Sequence, residues 1–440
     1  MSAEASQSPG HPTDGQGREH VSPAEIAIGV IIGRTSEYFD FFVFGLGCVL
    51  VFPELVFPYV DRLTGTLYAF AIFALAFITR PIGTVLFMMI DRRYGRVTKL
   101  TVALFLLGGS TAAVAFLPGY ATIGVWSGVV LAVFRLSQGI ALGGAWDGLA
   151  SLLALNAPEG RKGWYAMLPQ LGAPFGFILA GGLFAFFEGA LSSRDFLDWG
   201  WRYPFFVALT INVVALFARL RMVATQEFAE LMATRELVPV PALELIRARG
   251  STIILGAFVP LASFALFHLV TIFPVSWINL FTDRSVSEFL MVQAAGAVVG
   301  AGAIVTSGLI ADQIGRRNTL LLSGALIGLF SLSSIIAPLI FGDSLAGQTI
   351  YVIIGFGLLG LAYGQTAGAV ASTFGTQYRY TGAALTSDLT WLIGAGFAPL
   401  VALMVSSQFG IAWVGVYLLS GAICTLAALA IDRRLEGRYD

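Results

Sequence analysis

The stretch Gly33-Arg34-Thr35-Ser36-Glu37-Tyr38-Phe39-Asp40-Phe41-Phe42 places three formal charges inside an apolar run from Ala24 to Phe52. A charged side chain at mid-bilayer costs about 2.5 to 3.5 kcal/mol on insertion scales, so intramembrane Arg, Glu and Asp face a polar cavity or one another. Two readings are open. In the first, this helix lines a solute pathway, with Glu37 and Asp40 able to exchange protons. In the second, Arg34 and Glu37, three residues apart on one helix face, neutralise each other and serve structure alone.

A second cluster combines a cation, an amide, an indole and an acid: Arg135 and Gln138, then Trp146 and Asp147, among many glycines. Arg135 and Gln138 point the same way, whereas Asp147 lies about 120° around the helix from Arg135. Arg135 therefore serves either the cavity or a helix contact. Further on, Pro169 and Pro174 must disturb the helical hydrogen-bond ladder around Gln170. The second half of the chain offers fewer ionisable groups, chiefly His268 and Asp388, with Asn279, Tyr363, Gln365 and Thr366 as neutral candidates. His268 is a proton relay or a hydrogen-bonded structural residue. Asp388 is expected near one end of its span, partly solvated.

The elements that must position these residues are membrane helices. With 57% hydrophobic and 12% charged residues and a mean hydropathy of +0.82 over 440 positions, the balance is not that of a soluble protein. Runs long enough to cross about 30 Å of hydrocarbon fall near 24–52, 65–90, 99–118, 121–155, 164–188 and 201–221, then near 251–280, 286–311, 319–341, 345–374, 382–407 and 411–431. The expected fold is thus an all-α membrane protein of twelve transmembrane helices in two six-helix bundles, 24–221 and 251–431. These are joined by a linker at 222–250 and flanked by tails at 1–23 and 432–440. Of the 25 Lys and Arg, eighteen fall on the side of the termini and four on the other, with Arg34, Arg80 and Arg135 inside spans. The positive-inside rule then puts both termini in the cytoplasm.

The chain repeats itself: Arg93-Tyr94-Gly95-Arg96 follows the second span, and Asp312-Gln313-Ile314-Gly315-Arg316-Arg317 follows the eighth. Two equivalent halves are what alternating access about a midplane site requires. Cys48 and Cys424 are expected as free thiols near opposite faces. Metal-ligand spacings, a nucleotide-binding loop and a nucleophile elbow are all missing from the sequence, so no cofactor and no enzymatic activity are expected. No basic block suggests nucleic acid. Without nucleotide chemistry, uphill transport draws on an ion gradient, and the titratable acids Glu37, Asp40, Asp147 and Asp388 point to protons.

Taken together, these residues resemble the major facilitator superfamily, and within it the metabolite:proton symporter family of bacterial organic-acid and osmolyte carriers. Glu37 to Phe41 resembles that family's E-[WY]-[YF]-D-F, Thr79 to Gly83 its A-R-P-x-G, and Arg135 to Gly144 its R-L-L-Q-G…G-G-E-W. Pro169 to Gly176, Trp199 to Phe205 and Arg379 to Gly382 complete the series. The resemblance implies a central cavity lined by helices 1, 4, 7 and 10, and proton-coupled substrate entry. It also implies cytoplasmic gates at the loops after spans 2 and 8, here Asp91, Arg93, Gly95 and Arg96, and Asp312, Gly315, Arg316 and Arg317. The chain departs from the pattern at Ala145, where the family has Glu, at Asp91, where the gate acid is displaced, and at Arg34 and Asp388.

The expected function is proton symport of a small mono- or dicarboxylate across the bacterial inner membrane by a monomer. Arg34, Tyr38, Phe41, Arg135, Gln138, Trp146, Gln170 and His268 are the expected substrate contacts, with Arg34 favouring an anion. The alternatives are a carrier of zwitterionic osmolytes of betaine or proline type, caged by Trp146, Tyr38 and Phe41, and a ligand sensor on the same fold.

Overall fold

The computed structural model describes residues 23–145, 148, 153, 157–223, 230, 237–336 and 344–431. Eleven helices among them are long and apolar enough to cross a membrane. The charge-bearing first helix, α1 (Pro23–Leu50), makes twelve; it stays outside that count because its centre carries Arg34, Glu37 and Asp40 together. The remainder of the first half is α2 (Arg62–Tyr94), α3 (Arg96–Ala115), α4 (Trp126–Gly144), α5 (Lys162–Ala190) and α6 (Arg202–Val223). The second half is α7 (Leu261–Phe281), α8 (Val286–Ile314), α9 (Arg316–Ile336), α10 (Leu345–Ser372), α11 (Arg379–Phe409) and α12 (Ala412–Ile431).

The repeat is structural as well as sequential. Gly95 and Gly315 end α2 and α8 with φ of +84° each, and their N–H groups donate to the Asp91 and Ala311 carbonyls at 2.9 and 3.0 Å. Only glycine adopts this backbone without strain. Small residues let equivalent helices meet in both halves. A methyl group at Gly139 or Gly143 of α4 would strike the backbone of α2 at Ala76 or at Arg80 and Thr84; one at Gly360 of α10 would strike the Gly300 carbonyl of α8.

Several helices are interrupted where function needs irregular backbone. In α5 the prolines break the ladder as expected, leaving a 3₁₀ turn at Leu168–Leu171. After Pro241 a helix runs from Ala242 to Phe258 before α7 begins. Inside α7, a break separates Leu261–Val270 from Ile272–Phe281. Gln293 of α8 caps this break, its amide donating at 2.7 Å to both the Val270 and Thr271 carbonyls.

The halves touch from end to end. At the end holding Gly95 and Gly315, hereafter the glycine-loop end, the Asp312 carboxylate accepts from the first N–H groups of α5, Gly163 at 2.7 Å and Trp164 at 3.3 Å. At the opposite end, the Asn279 amide donates to the Val49 carbonyl and the Ser287 hydroxyl to the Ala185 carbonyl. The halves are therefore in contact at both ends. Cys48 is buried, Cys424 is half-buried, and neither is in a disulfide.

Candidate functional site

Helix α1 divides its charges by partner. The Glu37 carboxylate receives Arg34 at 2.7 Å and Arg219 of α6 at 2.6 Å, and Arg219 also donates to the Ala145 carbonyl. Arg34 thus lies in an ion pair on its own helix, in a trio carrying one net positive charge. Asp40, one turn further along, is in no ion pair among the described residues. One of its oxygens accepts from Asn212 at 2.6 Å, Asn212 in turn accepts from the Ser36 hydroxyl, and the other oxygen is buried without a hydrogen-bond partner.

Across the interface, Arg80 of α2 donates to Asp388 of α11 at 2.7 Å, and the Thr84 hydroxyl reaches the other Asp388 oxygen at 2.5 Å. Asp388 is 2% exposed, which corrects the expectation of partial solvation: the pairing with Arg80 lets α2 cover it completely. Gln170 donates to the Thr366 hydroxyl at 2.7 Å, and the Tyr38 and Tyr363 hydroxyls bond to each other. These four contacts from α1, α2 and α5 to α10 and α11 clamp the two halves at mid-depth.

Between them lies an aromatic chamber. Tyr38, Phe41, Phe42, Phe73 and Phe77 from the first half interleave with Phe267, His268, Tyr363 and Trp391 from the second. Arg135 lies 4.3 Å from the Phe44 ring centroid and 4.5 Å from that of Phe73, on ring faces that favour a cation. It donates to the Phe73 carbonyl and to Gln138, whose amide donates onward to Thr111, so Gln138 serves packing within the first half. Among the described residues the remaining guanidinium nitrogen, Nη2, has no hydrogen-bond partner. Neither ring nitrogen of His268 has one either, though the residue is fully buried. Both groups rest on Phe73 from opposite halves, His268 with its centroid 5.6 Å from that ring. Unsatisfied buried donors cost about 1–3 kcal/mol each, and here they converge. Trp146 and Asp147 lie outside the described residues.

The glycine-loop end carries the two gate sequences. Asp91 pairs with Lys99 at 3.1 Å and Arg96 at 3.8 Å, while Lys99 donates to the Tyr380 hydroxyl of α11 at 2.7 Å. Arg93 is exposed and lies over the Tyr94 ring. In the second loop Arg316 donates to the Gly368 carbonyl and Arg317 to that of Leu429. Four residues of these networks escaped the sequence reading. Arg219 and Lys99 lie near span ends and count among the eighteen cations on the side of the termini, yet both are 2% exposed. Asn212 and Trp391 gave a signal that went unused, a polar or amphipathic side chain within an apolar run.

A twelve-helix bundle with a repeated gate and a polar and aromatic midplane defines a carrier of the alternating-access kind. The chain belongs to the Major Facilitator Superfamily, whose family model matches residues 41–391. It is 33% identical to the inner membrane metabolite transport protein YhjE of Escherichia coli, with 92% of this chain and 93% of that one covered. It is 30% identical to the shikimate transporter of the same organism, with 92% of each covered. In fold it matches the crystal structure of a D-xylose-proton symporter with a TM-score of 0.69 at 18% identity, covering 92% of this chain and 96% of that one. The chain is accordingly a multi-pass membrane transporter of the secondary type, and not an enzyme.

Proposed function

We propose that this transporter is a proton-coupled symporter of a small organic anion, seated in a bacterial inner membrane with both termini cytoplasmic. The observation that carries the reading is the meeting at Phe73 of two buried groups that keep unsatisfied nitrogens among the described residues, the Arg135 guanidinium from α4 with one and the His268 imidazole from α7 with two. A carboxylate entering between the halves satisfies both and draws them together, which is how a substrate lowers the cost of closure. The ring faces nearest Arg135 and Arg80 are already taken by cations. Phe44, Phe73 and Trp391 already hold the guanidinium groups of Arg135 and Arg80, the last at 5.7 Å. The carboxylic acid named for the shikimate carrier and the proton named for the xylose symporter agree with this reading.

Asp40 is the residue to which we assign the proton. A buried carboxylate without a cation is the one whose charge is least costly to remove by protonation. Glu37, held by two arginines, serves the framework of the first half. The test is uptake into proteoliposomes. An inward proton gradient should drive carboxylate accumulation, and Arg135→Gln should reduce initial uptake by roughly 100-fold, as expected for a lost charge-assisted pair of about 2–3 kcal/mol. Unchanged uptake by that variant would refute the assignment.

A further inference from the structure

Two near-parallel ring pairs cross the interface, and each takes one ring from each half. Phe42 faces Phe267 at 5.6 Å between centroids and 8° between planes, and Phe77 faces Trp391 at 6.0 Å and 17°. Other ring pairs in the chamber are tilted or edge to face, as Tyr38 is to Phe267 and Phe41 to Trp391, arrangements that do not open into a parallel slot. The Phe42 and Phe267 pair differs from its companion in a second way: a mostly apolar void opens beside it, walled by Phe177, Phe356 and Ile304 with Thr271 and Tyr363. Every residue walling the void is buried, so the space belongs to the interior and not to the lipid face.

The faces of the Phe42 and Phe267 rings are also free of cations among the described residues, unlike those of Phe44, Phe73, Phe77 and Trp391. His268 adjoins this pair, its ring 5.6 Å from Phe267 and 5.3 Å from Phe41. A polar head at His268 therefore places the next half-nanometre of a solute among ring faces. When the halves part, the exposed faces of Phe42 and Phe267 lose each other, and only a solute with two faces of its own restores both contacts.

We propose that the anion is borne on a flat ring: an aromatic monocarboxylate, with its ring between Phe42 and Phe267 and its carboxylate at Arg135 and His268. The inference rests on the anion reading above and specifies its substrate. A single carboxylate is implied because Arg80, the other arginine beside the aromatic chamber, is already paired with Asp388, which leaves Arg135 to take the anion. Polar aliphatic acids leave the slot and the void unfilled.

The test is calorimetric titration of the purified full-length chain with benzoate, acetate, cyclohexanecarboxylate and tetramethylammonium. Two ring contacts of ordinary strength correspond to about tenfold in affinity, so benzoate should bind at least about tenfold more tightly than either acetate or cyclohexanecarboxylate. Phe267→Leu and Phe42→Leu, in whichever keeps the parent melting temperature, should erase most of that preference. Benzoate binding no more tightly than cyclohexanecarboxylate or acetate would overturn the ring assignment and leave the anion reading intact, as would a preference that survives both substitutions. Binding of tetramethylammonium with no carboxylate bound would overturn both. Should neither variant fold, the selectivity of the parent chain decides.

Discussion

Glu37 and Asp40 lie one helical turn apart in the same membrane helix, yet they are in different chemical situations. Replacing Glu37 with Gln removes the carboxylate shared by the buried Arg219 and the half-buried Arg34, and breaking such a buried pair costs about 3–5 kcal/mol. Glu37→Gln should therefore lower the melting temperature of the purified protein sharply. Asp40→Asn keeps an oxygen to accept from Asn212 and should change stability by less than about 1 kcal/mol. It should instead abolish accumulation driven by a proton gradient while solute exchange continues, measured as uptake against counterflow in the same vesicles. The Arg80 and Asp388 pair gives a third prediction at this scale. Arg80→Gln and Asp388→Asn each strand one buried charge, whereas the double variant strands none, so the double should be more stable than either single by about 1–3 kcal/mol.

Among the elements, α7 depends most on a neighbour. Its break at Thr271 frees carbonyls that one amide, Gln293 of α8, collects. Gln293→Leu leaves both carbonyls unsatisfied in a buried setting, and a loss of about 2–4 kcal/mol is expected from two such groups, read as a fall in thermal midpoint. Gln293→Glu retains acceptors only and should not rescue it. The elements themselves were legible in the sequence because length, apolarity and the two glycine loops are local signals. Even the 3₁₀ turn at Pro169 followed from the missing N–H of proline. The partners were not legible. Arg80 meets Asp388 across 308 residues of chain and Glu37 meets Arg219 across 182, and no periodicity within either helix encodes those distances. Charge near a span end reads equally as a loop cation or as a buried partner, the place the structure gives Arg219 and Lys99.

For the whole molecule, closure at the glycine-loop end depends on contacts that are individually modest and run between the halves directly or through the linker. Asp312 caps the first turn of α5 with a charge, worth about 0.3–1 kcal/mol when exposed and up to about 2 when partly buried. Asp91, Lys99 and Tyr380 tie the other loop to α11, and the linker joins them, since Arg96 donates to the Leu237 carbonyl and Val240 exchanges hydrogen bonds with Thr381. Contacts of that size suit a carrier, because a gate held by 10 kcal/mol would never open on substrate binding, whose differential energy amounts to only a few kcal/mol. Asp312→Asn keeps the shape and removes the charge, so the closed state should lose about 1 kcal/mol, or roughly fivefold in the open-to-closed ratio. The readout is the thiol labelling rate of Ala166→Cys, a position 2% exposed beneath this gate, in a background with Cys48 and Cys424 replaced. The rate should rise about fivefold with Asp312→Asn. Labelling of Ala185→Cys, which lies at the opposite end next to the Ser287 contact, should not rise with it. Equal acceleration at both positions would mean that the substitution loosens the fold as a whole, and that Asp312 does not act as a latch for one end.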